Sequence, residues 1–183
     1  MPYRSTAKHR SPYRDNINAE VRLKEVETLL RALTAMQLHV QTKKRMLNHA
    51  LWLVVELTGS FYGRYRSRGV LDKEEIKIQR DHVFPRKQLV EELLGATPNF
   101  ASVMTRAQCY CVVTHEEHER LTEVPVDIVG WDRYEKAGVC AWDMASQKKA
   151  DTAAHLCGQS SFCRSFVAKR DVIGPPPTDN PGT

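Results

Sequence analysis

Two short stretches, QRDHVFPRKQLVEELL at 79–94 and THEEHERL at 114–121, hold the side chains best suited to chemistry. The first sets Asp81 directly beside His82, with Pro85 three residues on. The second carries His115 and His118, three residues apart. Imidazole exchanges protons near neutral pH. A carboxylate and an imidazole together can hold a divalent ion while leaving positions for a phosphate and a water. Hydrolysis of a phosphodiester asks for both capacities, a base for the water and a cation at the scissile phosphate. Each stretch alone also has a plain reading: a strand-end aspartate bonding an amide, and a histidine on a helix surface. Their meaning depends on the elements that position them.

EEIKIQ alternates apolar and polar residues and predicts a short strand running into Asp81 and His82. Pro85 restricts Phe84 and donates no hydrogen bond, which favours a break in that strand. RKQLVEELLGA reads as a short helix closed by Gly95, TPNFASVMTRA as a helical turn or loop, and QCYCVV as a second strand. Thr114, followed three residues later by Glu117, forms a capping box, so a helix should start there with His115 and His118 in its first turn. PVDIVGWDRYEKAGVCAWDM predicts an extended piece and then a helix over Trp131–Lys136, with Trp131, Arg133 and Tyr134 as a lid on the core.

Upstream, Val21, Val26, Leu29, Leu30, Leu33, Met36 and Val40 recur at helical spacing, predicting an amphipathic helix over 18–42 whose stripe could serve a dimer. A more apolar helix follows over 44–57, with Gly59 as its stop. TGSFYGRYRSRG interleaves Arg64, Arg66 and Arg68 with aromatic rings, a pattern suited to phosphate and base contacts in a loop. Arg86 and Lys87, just past His82, are further candidates for phosphate.

The chain has 183 residues, 42% hydrophobic and 27% charged, the balance of a soluble globular protein. Its net charge of +5 is unevenly spread. Residues 1–80 carry 16 Lys and Arg against 8 Asp and Glu, and the remainder 11 against 14. A basic front half suits a phosphate-backbone partner. The five cysteines include no C-x-x-C pair, which argues against a zinc ribbon or a disulfide framework. The longest apolar run, Ala50–Val55, is far short of a membrane span, and the basic N-terminus lacks the apolar stretch of a secretory signal. The expected setting is cytoplasmic, without membrane contact.

DHVFP at 81–85 and CYCVVTHEEHERL at 109–121 together resemble the HNH, or ββα-metal, endonucleases, with the same order of strand, second strand and ligand-bearing helix. The resemblance covers roughly 40 residues. It implies His82 as general base, Asp81 and His118 as ligands of one divalent ion (Mg²⁺ first, with Mn²⁺, Ni²⁺ or Zn²⁺ as alternatives), and DNA as substrate, with RNA left open. It places Cys109 where the family usually has an asparagine that ties the loop to the backbone. Gln108 or Thr114 could substitute, packing could hold the loop, or the scaffold binds nucleic acid without cleaving it. The expected fold is α+β: a mainly helical protein with an N-terminal helical region and a small HNH-type core. The expected divisions are a flexible basic arm at 1–16, helices at 17–70, the core with its helical insertion at 71–144, a helical or irregular segment at 145–173 and a disordered tail at 174–183.

Overall fold

The computed structural model describes residues 3–4, 18–59, 62–73 and 76–150. The expected segment up to 173 beyond that point, its thiols Cys157 and Cys163, and the tail at 174–183 lie outside the described residues. The N-terminal helices are α1 (Ala19–Ala35) and α2 (Val40–Leu57). The break between them comes earlier than the hydrophobic pattern predicts. Met36 turns extended at φ −65°, ψ 141°, and the Lys43 ammonium bonds the Thr34 carbonyl at 2.9 Å. Val40 therefore opens α2. The buried stripe of α1 is Ala19, Leu23, Val26, Leu30 and Leu33, while Val21, Leu29, Met36 and Val40 are exposed. Gly59 follows α2 at φ +116°, the left-handed conformation that suits glycine at a helix end.

The predicted insertion contains two helices, α4 (Arg86–Leu93) and α5 (Phe100–Ala107). The second starts where the Asn99 side chain accepts a hydrogen bond from the Ser102 amide at 3.0 Å, a cap that the unassigned stretch at 97–107 contained. Leu89, Val90, Leu93, Val103 and Met104 join Leu30, Leu47, Leu51 and Val54 in one apolar core, so the insertion and the N-terminal helices bury each other. Each of the fully enclosed leucines contributes about 1.5–3 kcal/mol through that burial.

Among the described residues, six strands form one sheet in the order β1-β3-β4-β2-β5-β6. They are β1 (Tyr3–Arg4), β2 (Tyr65–Ser67), β3 (Lys77–His82), β4 (Tyr110–Thr114), β5 (Ala141–Asp143) and β6 (Lys148–Lys149). Where a flexible arm is expected, Tyr3–Arg4 pairs antiparallel with β3, Tyr3 opposite Ile78. Where the Arg64–Arg68 stretch is expected to be a loop, β2 runs between β4 and β5 and leads into α3 (Arg68–Asp72). β3 and β4 are antiparallel, with Asp81 opposite Cys111 and His82 opposite Tyr110.

Alternate residues of a strand leave opposite faces, and each face has its own cover. Cys109, Cys111 and Val113 pack with Leu121 of α6 (His115–Glu123) and with Trp131 and Tyr134 of α7 (Trp131–Lys136). Ile78, Tyr110 and Val112 pack with Val55 of α2. The molecule is thus an α+β arrangement, a sheet between the helical core and the α6–α7 pair. No helix among the described residues is long and apolar enough to cross a membrane.

Candidate active site

Asp81 lies near the end of β3 with its side chain on the α6–α7 face, 6% exposed. Its position across from Cys111 is set by the β3–β4 ladder. The capping box predicted for α6 is present: the Glu117 amide donates to Thr114 Oγ1 at 3.1 Å, and the Thr114 amide to Glu117 Oε2 at 2.8 Å. Glu117 does more than cap. Its carboxylate also accepts from the Ser67 hydroxyl and from the Gly69 amide at 3.3 Å, tying the start of α3 to the start of α6. A Cβ at Gly69 would come within 2.6 Å of Glu117 Oε1, so a side chain there would have to push the Glu117 carboxylate aside.

With α6 held in this way, His118 in its first turns reaches Asp81. His118 Nε2 is 3.6 Å from Asp81 Oδ1. His115, one turn earlier, contacts the Gln79 amide through Nδ1 and Glu119 at 3.3 Å through Nε2, and takes no part in that pair.

Two residues that the sequence reading placed in a lid on the core turn out to grip Asp81. The Arg133 guanidinium donates to Asp81 Oδ2 at 2.9 Å and to Oδ1 at 3.2 Å, and the Tyr134 hydroxyl donates to Oδ2 at 2.6 Å. Arg133 also donates to the His82 carbonyl at 3.2 Å and to the Leu121 carbonyl at 3.1 Å, joining the end of β3 to the end of α6. Burial, with the Asp81 charge beside it, raises the Tyr134 phenol well above its ordinary pKa, so it stays a proton donor. Trp131 does form the expected lid, edge-on to Tyr65 and Tyr134 at 4.9 and 5.1 Å between ring centroids. A lone arginine in WDRYEK carries no local sign of a buried partner 52 residues away, which is why the sequence did not reveal it.

A carboxylate offers about four acceptor positions. Asp81 Oδ2 receives two donors and Oδ1 one, which leaves an acceptor position on Oδ1, the oxygen nearer His118. A separation of 3.6 Å between Oδ1 and Nε2 is within reach of one ion bonded to both, since metal–ligand bonds of about 2.1 Å span at most roughly 4.2 Å. The pair fits a divalent cation as two ligands. Among the described residues no group of three or more His, Cys, Asp or Glu stands ready to complete a cage. That donor set suits a hard ion that keeps waters and takes a phosphate oxygen.

His82 has a different environment. β3 stays regular through His82, which pairs with Tyr110, so the expected strand break does not occur before this residue. Its ring leaves the α2 face, opposite Asp81, and packs on Trp52 with centroids 5.6 Å apart. It is 6% exposed, and Nε2 has no hydrogen-bond partner among the described residues. Burial, reinforced by the charges of Arg86 and Arg80, pushes its pKa down to about 3, so the ring is neutral at physiological pH.

The HNH resemblance would put an asparagine at position 109, and the chain after His82 is held by other bonds. The Val83 amide donates to the Cys109 carbonyl at 3.0 Å, and the Val83 carbonyl accepts from the Gly130 amide at 3.1 Å. Cys109 contributes its backbone and a fully buried side chain. Gln108 instead bonds the Met104 carbonyl, and Thr114 caps α6, so neither takes the asparagine's place.

Of the arginines proposed to meet phosphate, Arg64 forms a two-pronged pair with buried Asp143 at 2.9 and 2.7 Å, and Arg66 is 0% exposed within the sheet. Burial would raise the Asp143 carboxyl, but hydrogen bonds from Arg64, the Ala145 amide and Ser146, with the charge of Arg64, hold it below its ordinary pKa. Both arginines serve the fold, because β2 is covered on both faces. Arg68 is exposed and pairs with Asp72 at 3.0 Å. Arg86 is half-buried and Lys87 exposed at the start of α4. Comparison with models of protein families, with curated proteins and with solved structures finds no match for this chain.

Proposed function

We propose that the protein is a metal-dependent endonuclease of the HNH type that hydrolyses phosphodiester bonds in DNA, with Asp81 and His118 as ligands of one divalent ion, Mg²⁺ by preference, and His82 as general base. The observation that carries this reading is the 3.6 Å approach of His118 Nε2 to Asp81 Oδ1, made by a helix that follows two antiparallel strands. When bound there, the ion would supply Lewis acidity at a phosphate oxygen and stabilise the departing alkoxide. Arg133 and Tyr134 keep the carboxylate oriented toward His118. His82 accepts the proton of the attacking water at a ring nitrogen. For this the 82–85 segment must turn the ring away from Trp52 toward the Asp81 side of the strand. Turning out of that pocket also releases the ring from the burial and from the Arg86 and Arg80 charges that lower its pKa, and so makes it a stronger base.

The test is plasmid nicking by purified protein across Mg²⁺, Mn²⁺, Ni²⁺ and Zn²⁺. His82→Ala should lower cleavage by about 10²–10⁴-fold, the usual worth of a general base, with DNA binding retained. Undiminished cleavage by His82→Ala ends the reading. A second reading, a non-catalytic nucleic-acid-binding protein on the same scaffold, is favoured by the packing of His82 on the face opposite Asp81. Binding without nicking in every metal decides for it.

A further inference from the structure

We propose that the α2 side of the sheet carries a docking strip for the phosphodiester backbone of a DNA strand, centred on Arg86 stacked over Trp52. The inference deepens the nuclease reading, since it names the surface by which substrate reaches the end of β3. Two guanidinium groups share one indole: the Arg80 carbon lies 4.4 Å and the Arg86 carbon 4.6 Å from the Trp52 ring centroid. A guanidinium lying on a ring spends its flat face on the contact and keeps its N–H edge for a planar acceptor such as phosphate. Among the described residues, Arg86 makes one long hydrogen bond, Nη1 to the Asn48 carbonyl at 3.4 Å, out of five available donors. Beside the same indole lies His82, more than nine-tenths buried, with Nε2 lacking a partner among the described residues. A buried polar atom in that state calls for a partner from outside the chain, a water, an ion or a ligand.

The surroundings extend the strip. Arg45 and His49 precede Trp52 by seven and three residues, on the same side of α2, and both are exposed. Lys87 is exposed beside Arg86. Two acids lie near: Glu56 pairs with Arg80, and Glu91 with Lys44 at 2.7 Å. Each of those acids is already matched by a cation, and Arg45, Arg86 and Lys87 remain as positive charge. Arg64 and Arg66, by contrast, are engaged inside the fold.

The experiment measures binding of a short DNA duplex and of its single strand by fluorescence anisotropy, in EDTA, over a salt series. Arg86→Gln with Lys87→Gln should weaken binding by roughly tenfold or more and reduce the slope of log affinity against log salt by about two, one for each phosphate contact removed. Lys148→Gln with Lys149→Gln, two exposed lysines on the far strand of the sheet, should leave both quantities unchanged. Arg45→Gln, an exposed change, gives an independent reading of the strip if the first pair proves unstable. Equal weakening by both lysine and strip variants, or none by the strip variants, overturns the proposal. Weakened binding by the strip variants, with no nicking by the wild type in any metal, keeps the strip and ends the nuclease reading. Nicking by the wild type, with strip variants that bind as it does, has the reverse meaning.

Discussion

Consecutive residues on one strand have opposite surroundings. Asp81 is held by Arg133 and Tyr134, with His118 3.6 Å away, and its acceptor positions are nearly full. His82, on the other face, has an indole, two stacked guanidinium groups nearby and a ring nitrogen with no partner among the described residues. The first face is prearranged, with one oxygen position left over. The second is built of groups that gain by meeting an anion. A site that fixes its acid and leaves the His82 Nε2 and most of the Arg86 donors without partners among the described residues has capacity for what arrives from outside.

The sharpest way to break the contrast is to unlock Asp81. Arg133→Met leaves a buried carboxylate unpaired and should cost about 3–5 kcal/mol of stability in urea denaturation. A loss under 1 kcal/mol would show that Asp81 does not depend on that grip. The His82 face should instead reveal itself through pH. Its folded pKa of about 3 lies below the unfolded value of about 6.5. Above pH 6.5 neither state is protonated there and the group contributes no pH dependence. Between 6.5 and 3 the unfolded chain takes up the proton first, so stability falls as pH falls, by on the order of 3 kcal/mol at pH 4.5. His82→Phe should show a shallower decline over this window, and an unchanged slope would place the imidazole in solvent.

Gly130 ties the start of α7 to the chain just after His82 through its hydrogen bond to Val83, and it sits at φ 70°, ψ −151°, a conformation open to glycine. Gly130→Ala should cost about 1–3 kcal/mol and shift α7, reducing nicking beyond the stability change. The smallest effect on folding should come from His118→Gln. That side chain is 29% exposed and does not hydrogen-bond Asp81 at 3.6 Å, so stability should stay within about 0.5 kcal/mol. With Mn²⁺ the wild type is expected to show a thermal shift and His118→Gln to lose it, and a shift retained in the variant would move the ion elsewhere.

How much of this was legible in the sequence differs by region. Lys77–His82, Tyr110–Thr114, the capped helix from His115 and the helix Trp131–Lys136 all fall where alternation, β-branched content and the Thr114–Glu117 box predict them. These are local signals. The break between the first two helices falls at 36–39, earlier than the pattern places it, because that stretch contains neither Gly nor Pro and the turn follows from two helices packing back on each other. The arginines at 64–68 look like a surface loop in isolation. The enclosure of Arg64 and Arg66 comes from strands far along the chain, at 110–114 and 141–143, while Arg68 stays exposed.

The sequence by itself determined the elements and the candidates: a strand ending in Asp81 and His82, and a helix whose first turns carry His118. Spacing and capping act over a few residues and can be read from those residues alone. Only the tertiary structure decided which groups meet. It brought Arg133 and Tyr134 onto Asp81 and set His118 3.6 Å from it, and it turned His82 toward Trp52. Partners of a buried charge are chosen by packing across the sheet, where separation along the chain carries no information about separation in space.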